Sequence, residues 1–420
     1  MRLAFLCAGL LFLPLLAGAQ TSRDELRREY ELSGAARQAK DYEQFLRHAR
    51  RVTELAPRSV GALYDLARAQ ALAGREADAV QALERLAAMG VVVSADRDAD
   101  FDGLRSSEAF RRAIGHIADN LKPIVTSEVA FTLEEKGLIT EGLAYDPQTR
   151  AFFVSSVRQR KIVRRDADGR VRDFVRSGQD GLLSASAMAV DAKRRALWVS
   201  SAAVPAMTGF RKEQENESFV LEYDLDSGRR RRKLLPPVAG GMLSDVSVGP
   251  EGQLVISDPM TGRVYLLERD KLRVVVEPGS IVSAQGLAFA PDGRLFVADY
   301  LQGPVRVDLK TGATRLLDAP PDAAPTGIDG MVWAGGGLVG IQNGIEPHRV
   351  VRLEVEGDRV SRVTVVDRAH PRFDEPTLAV VVGEAVYYVA NSQYGAVRDD
   401  GTLDESRLRE PTILRLPIRP

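Results

Sequence analysis

A two-strand unit recurs six times in this chain, and that recurrence limits the fold more than any other feature. The copies are EGLAYDPQTRAFFVSS (141–156), SAMAVDAKRRALWVSS (186–201), SDVSVGPEGQLVISD (244–258), QGLAFAPDGRLFVAD (285–299), DGMVWAGGGLVGIQN (329–343) and EPTLAVVVGEAVYYVAN (375–391). Each holds an alternating run, a tight turn and a second run ending in a small or polar residue, the pattern of two antiparallel strands. Their starts lie 45, 58, 41, 44 and 46 residues apart. Most are followed by a third strand, such as RVYLLER (263–269) or PVRVDLK (304–310), and then a fourth. Four strands per repeat, six times over, predicts a mainly β chain folded as a six-bladed β-propeller. Only one strand, TILRLPI (412–418), follows the last copy, leaving that blade incomplete. The alternating SEVAFTLE (127–134) precedes the first copy and is expected to supply the missing outer strand, removing two open sheet edges.

The region before this array has a different texture. Residues 21–120 carry no strand signal and are rich in Ala, Leu, Arg and Glu at helical spacing. Val60, Leu63 and Leu66 share one face, Gly74 breaks that helix, and Ala79, Leu83 and Leu86 continue on a second. Tyr42, Phe45 and Ala49 fill an earlier copy about 34 residues in period. The stretch resembles tetratricopeptide repeats: about two copies and a degenerate third half ending near Ile117. Two repeats bury little alone, so they are expected to dock on the second domain, as a helical cap or as a groove for a protein partner. Between the regions, Asp98, Asp100, Asp102 and Gly103 nearly match a calcium loop, but its twelfth position is Ala109 and Glu108 stands one residue early. The segment reads as an acidic loop feeding a helix.

The expected organisation is therefore a leader over 1–19, a helical module over 21–120 and the propeller over 124–420. The leader combines Arg2, an apolar run and a small-residue ending, Ala17-Gly18-Ala19, as a cleavable secretory signal does. It holds the chain's one cysteine, Cys7, so the exported product, periplasmic or secreted, would be cysteine-free, with no further segment able to span a bilayer. A formal charge of −1, from 57 basic and 58 acidic residues, argues against nucleic acid as a partner. Four histidines and one cysteine exclude a Cys/His zinc module and a disulfide scaffold. GGGLVG (335–340) has phosphate-loop spacing, but no helix follows it, so it reads as a hairpin. His348 and His370 sit in loops and read as satisfied surface groups.

In a propeller the innermost strands run along a central channel, so the first residues of the six copies form a ring at one mouth. Those residues are Glu141, Ser186, Ser244, Gln285, Asp329 and Glu375. Three carboxylates converging on a small opening repel one another unless protons, basic groups or a cation compensate. All-oxygen ligation suits a hard cation such as calcium, and a solvated mouth would tolerate the same residues. Two long connections, 202–218 and 392–410, lie on the same face and are expected to wall the mouth, bringing Arg211, Lys212 and Arg398 over it.

The phrases ITEGLAYDP (139–147), QGLAFAPDGRLFVADY (285–300) and IDGMVW (328–333) resemble the senescence-marker-protein/gluconolactonase/luciferin-regenerating-enzyme family over roughly residues 125–418. The resemblance implies a propeller holding a divalent ion through a Glu opening blade one, an Asn opening blade four and an Asp opening blade five. It also implies a substrate-holding Asn opening blade three, with the blade-five Asp serving as general base toward a lactone or ester. Glu141 and Asp329 match the two acids; Gln285 stands at the blade-four Asn, one methylene longer; Ser244, or the adjacent Asp245, stands at the blade-three Asn. The expectation is an exported, divalent-metal-dependent hydrolase of a small lactone or ester. Asp329 is its base, Glu141, Gln285, Asp329 and Glu375 hold the ion (calcium first), and Ser244, Asp245, Arg211 and Arg398 meet the substrate. The alternative is a non-catalytic propeller that binds a ligand or a protein.

Overall fold

Six antiparallel four-stranded sheets make up the propeller in the computed structural model, which describes residues 13–398 and 400–418, with side chains from Glu25 onward. Most of the leader expected over 1–19 lies outside these residues. Five blades are simple meanders spanning residues 143–175, 184–234, 246–276, 284–316 and 328–368. The sixth is composite. Its inner three strands are Ala379–Val382, Ala385–Val389 and Thr412–Pro417, and its outer strand is Glu128–Thr132 from before blade one. Glu128 stands opposite Arg415 and Thr132 opposite Thr412, so the alternating segment near 127–134 closes the ring as its pattern requires. Apolar side chains fill the wedges between blades; Phe153, Leu197, Val199 and Tyr223, for example, share one cluster between blades one and two.

Local chemistry explains where the strands bend. Inner strands of blades two, four and five shift register at 185/188, 284/287 and 328/331. A β-bulge there re-aims the side chains of Ser186, Gln285 and Asp329 toward the channel. Gly286 and Gly330 follow two of these residues because neighbouring strands crowd them. A Cβ on Gly330 would lie 2.6 Å from the Thr377 carbonyl oxygen, and one on Gly286 2.6 Å from that of Asp329. The small polar residues ending second strands also gain a reason. The Oγ atoms of Ser155, Ser200 and Ser257 accept from the amides of Gly142, Ala187 and Asp245, replacing ladder bonds at the bends.

Helices α1 (Leu13–Gln38), α2 (Tyr42–Leu55), α3 (Val60–Leu72), α4 (Glu76–Ala88) and α5 (Glu108–Asp119) precede the propeller, each packed on the next. Asp41, Ser59 and Ser107 cap α2, α3 and α5 by accepting from the amides of Gln44, Ala62 and Phe110. Phe45, Ala49, Leu63, Ala79, Leu83 and Leu86 are buried, as the helical spacing requires. The acidic loop is consumed by structure: Asp98 accepts from Tyr64, and Asp100 accepts from both Arg37 and Arg68. Among the described residues no helix is long and apolar enough to cross a membrane.

Candidate functional site

The ring residues gather at the end of the channel where inner strands begin. Glu141, Ser186, Gln285, Asp329 and Glu375 are partly exposed, whereas Ser244 and Asp245 are buried at 9% and 8% exposure. Asp245 thus stands one residue deeper, where it also borders a cavity of about 440 Å³ that follows the channel toward the opposite face, lined largely by apolar side chains such as Val246, Leu287 and Trp333. Among the described residues, Asp245 is the one charged side chain on the wall of that cavity, whereas the other carboxyls gather at the mouth.

Four residues that sequence reasoning missed hold the acids in place, three directly and one through another. Tyr394, from the 392–410 connection, donates its hydroxyl to Glu141 Oε2 at 2.7 Å. The next amide in that loop, Gly395, donates to Glu375 Oε2 at 3.1 Å, so one turn spans the acids of blades one and six. Asn343 donates from Nδ2 to Asp329 Oδ2 at 2.7 Å, and Tyr300 donates to Asn343 Oδ1 at 3.1 Å. This chain fixes the amide's orientation, and Asp329 Oδ1 accepts no hydrogen bond from the described residues. Asn343 was in view as the polar end of the fifth copy; Tyr394 and Tyr300 carried no repeat signal.

Backbone strain marks the same place. Glu375 has φ 58° and Ile139, two residues before Glu141, has φ 47°. Left-handed conformations are costly for such residues, above all for β-branched Ile139, and persist where the surroundings over-determine them.

Electrostatics follow from crowding. Protein atoms surround these carboxyls on every side but the opening, so burial is the leading cause of each shift. Burial raises Glu141 against the opposing Tyr394 hydrogen bond. Burial, then the charges of Asp329 and Glu141, raise Asp245 well above the carboxylate range. Burial, then Glu141, push Asp329 up to about 7 despite the Asn343 hydrogen bond. Tyr300 rises to about 12, through burial and then Asp329 and Glu375. No basic side chain is among the causes acting on these three acids.

The basic residues of the two long connections have these surroundings. Arg398 is exposed and lies 3.4 Å from Asp404, Lys212 pairs with Glu215, and Arg211 is exposed on the 202–218 connection. The two connections do meet. Arg158 Nη1 donates to the carbonyls of Ala206 and Gly401, and Tyr394 packs with Ile139, Val157 and Ala206. In kind, the donors fit a hard cation: four carboxyls and the Gln285 amide, with no basic side chain of the described residues among the causes acting on Glu141, Asp245 and Asp329. In position, no three His, Cys, Asp or Glu side chains among the described residues stand close enough together to hold a metal ion.

No protein-family model matches the chain, and neither does any curated protein sequence. Solved structures that resemble it include the PQQ-bound aldose sugar dehydrogenase of Streptomyces coelicolor, at TM-score 0.50 and 13% identity over 71% of this chain and 99% of that one. A gluconolactonase from Xanthomonas campestris gives TM-score 0.49 at 16% identity, covering 71% of this chain and 97% of its own. The calcium-binding protein regucalcin from Agrobacterium tumefaciens gives 0.49 at 17%, covering 70% and 94%. At these identities the likeness is one of fold, and the fold is a six-bladed propeller.

Proposed function

We propose that the acidic mouth hydrolyses a small lactone or ester with the help of a divalent cation, calcium being the first candidate. The observation that carries this reading is the gathering of Glu141, Asp245, Asp329 and Glu375 at one mouth, near enough for their charges to act on one another, with no basic side chain of the described residues among the causes acting on the first three. Such a set needs either protons or a cation, and the donor chemistry suits a hard ion. Glu141, Gln285, Asp329 and Glu375 would hold it, and its contribution would be to polarise the substrate carbonyl.

The remaining work falls to the chain's own groups. Asp329 serves as the base; Asn343 holds one of its oxygens and leaves Oδ1 for the attacking water. Tyr394 keeps the Glu141 carboxyl turned toward the mouth. Ser244 and Asp245 line the deep side where the substrate rests, and Arg211 and Arg398 stand on the connections that a larger acidic substrate would meet. In the same reading residues 1–19 are a cleaved leader, so the protein works in the periplasm or outside the cell. Residues 21–120 are a tetratricopeptide-like module able to take a protein partner, and residues 124–420 are the catalytic domain.

A second reading, a propeller that binds a ligand without turning it over, is favoured by one observation. Glu141 and Asp329 already have neutral partners in Tyr394 and Asn343. Metal analysis of the purified protein, followed by a panel of lactones and esters with and without chelator, separates the two. Chelator-sensitive hydrolysis supports the first; tight ligand binding without turnover supports the second.

A further inference from the structure

The inner end of blade five links the helical module to the mouth through two successive residues. Gln342 is fully buried against the 324–326 connection. Its Nε2 donates to the carbonyls of Ala324 and Thr326 at 2.7 and 2.6 Å, and its Oε1 accepts from Arg349 Nε at 2.7 Å. Asn343, the next residue, turns the other way and holds Asp329. Arg349 is 1% exposed and forms no ion pair among the described residues. Its guanidinium is spent on carbonyl oxygens: Met89 at 2.9 Å, Gly90 at 3.1 Å and Ala324 at 3.3 Å. Met89 and Gly90 close the C-terminal end of α4, where carbonyls lack helical partners and a cation is favoured. Gly90 permits the approach: it has φ 72°, and a Cβ there would stand 2.9 Å from Arg349 Nη1.

The loop between Asn343 and Arg349 is tied to the same helices. Ile345 is 7% exposed inside the cluster built by Leu63, Leu83, Leu86 and Phe101. The Val92 amide donates to the Glu346 carbonyl at 2.7 Å. On the site side, Gly344 lies against Tyr300, whose hydroxyl a Cβ there would meet at 2.5 Å, and the Gly344 amide donates to Gly327. The segment 342–349 is therefore held by the helical module at Ile345, Glu346 and Arg349 while its second residue orients the acid at the mouth.

We propose that Arg349 is a positioning residue of the mouth, through which docking of the helical module sets Asn343 and hence Asp329. This rests on the proposed function only in taking Asp329 as a working group. The module is then part of the site and not an independent appendage. A buried guanidinium without a carboxylate is costly, and here it joins three carbonyls from two regions of the fold, whereas plain packing would call for an apolar side chain.

Hydrogen–deuterium exchange on the full chain tests this, with Arg349→Gln and Ile345→Ala against Arg58→Ala. The Arg58 side chain docks the same module by donating to the Leu317 carbonyl and bonds no residue of the 342–349 segment. Expected is a rise of about tenfold in amide exchange at 343–346, 299–302 and 327–330 in the first two variants. Arg58→Ala should loosen only the start of α3 and residues 317–321, leaving 86–93 and the mouth segments protected. Arg349→Lys, which keeps a donor to the helix end, should restore part of the protection. If protection at 299–302 and 327–330 is unchanged while 86–93 loosens, Arg349 is merely a docking residue and the proposal fails. Should the wild type turn over a lactone, Arg349→Gln is expected to lower kcat about tenfold with KM little changed. Should it turn over none, the exchange result still decides the positioning role, while the hydrolase reading falls on its own.

Discussion

Tyr394 reaches across 253 residues of chain to donate its hydroxyl to Glu141 at 2.7 Å. That bond joins a loop of the last blade to the first residue of the first, next to the seam where the ring closes. It also pulls the Glu141 carboxyl back toward its ionised form against burial. Tyr394→Phe should therefore raise the Glu141 pKa and destabilise the fold by about 1–3 kcal/mol, the range for leaving a buried polar group without its partner. Denaturant unfolding measures the loss; an unchanged midpoint would mean that solvent already satisfies Glu141.

The mouth acids give stability a direction with pH. Folded Asp329 holds its proton to about pH 7, whereas an unfolded Asp releases it near about 3.9. Between those values the native state binds more protons, so stability falls as pH rises. Without added cation, the protein should melt at a lower temperature at pH 7.5 than at pH 5. His370 acts in the opposite sense: burial lowers its pKa, so its contribution is lost as pH falls. Asp329→Asn keeps His370 and should flatten the Asp329 part of the slope; an identical slope in the variant would remove Asp329 as its source.

A cation between the blades would reverse that penalty. Binding to the native state alone adds about 2.7 kcal/mol at a hundredfold excess over the dissociation constant. Calcium should raise the melting temperature and a chelator lower it. Glu141→Gln should abolish most of the shift, and Glu375→Gln reports whether blade six takes part. If calcium, magnesium, manganese and zinc all leave the curve in place, the metal-dependent reading is wrong. If Glu141→Gln instead stabilises the metal-free protein, the acids only repel one another.

The tight start of each inner strand is testable without any ligand. Gly330→Ala would put a methyl 2.6 Å from the Thr377 carbonyl and 2.9 Å from the Leu378 Cα, backbone that cannot swing aside. A loss of about 1–3 kcal/mol is expected. Gly115→Ala, in α5 with no atom within 4 Å of the new methyl, should instead gain about 0.5–1 kcal/mol. Thermal melts of the two variants should move in opposite directions.

Ring closure predicts unequal truncations. Deleting 20–135 removes the outer strand Glu128–Thr132 and leaves Thr412–Pro417 as an open edge. Deleting 20–120 keeps that pairing but uncovers Ala324, Ile345 and Arg349. The shorter deletion should still melt cooperatively, though less soluble, and the longer should not. A cooperative melt of the longer one at the parent temperature would contradict closure by this strand.

The sequence by itself determined the six blades, the closing strand and the ring at the mouth. Each rests on a local period, because alternation within a strand and a repeat of 41–58 residues are written into neighbouring positions. Opening residues such as Glu141, Gln285 and Asp329 could be named because each holds the same place in its copy. Only the tertiary structure decided what those residues touch. Tyr394 lies in a loop with no repeat, and Tyr300 stands 43 residues from the amide it fixes. Arg349 meets carbonyls 259 and 260 residues away. Nor could charge count reveal that Arg398 lies 3.4 Å from Asp404. Strand pattern is enforced by backbone hydrogen bonding and burial one residue at a time. Side-chain partners across the ring are set only when closure brings distant loops to one end of the channel.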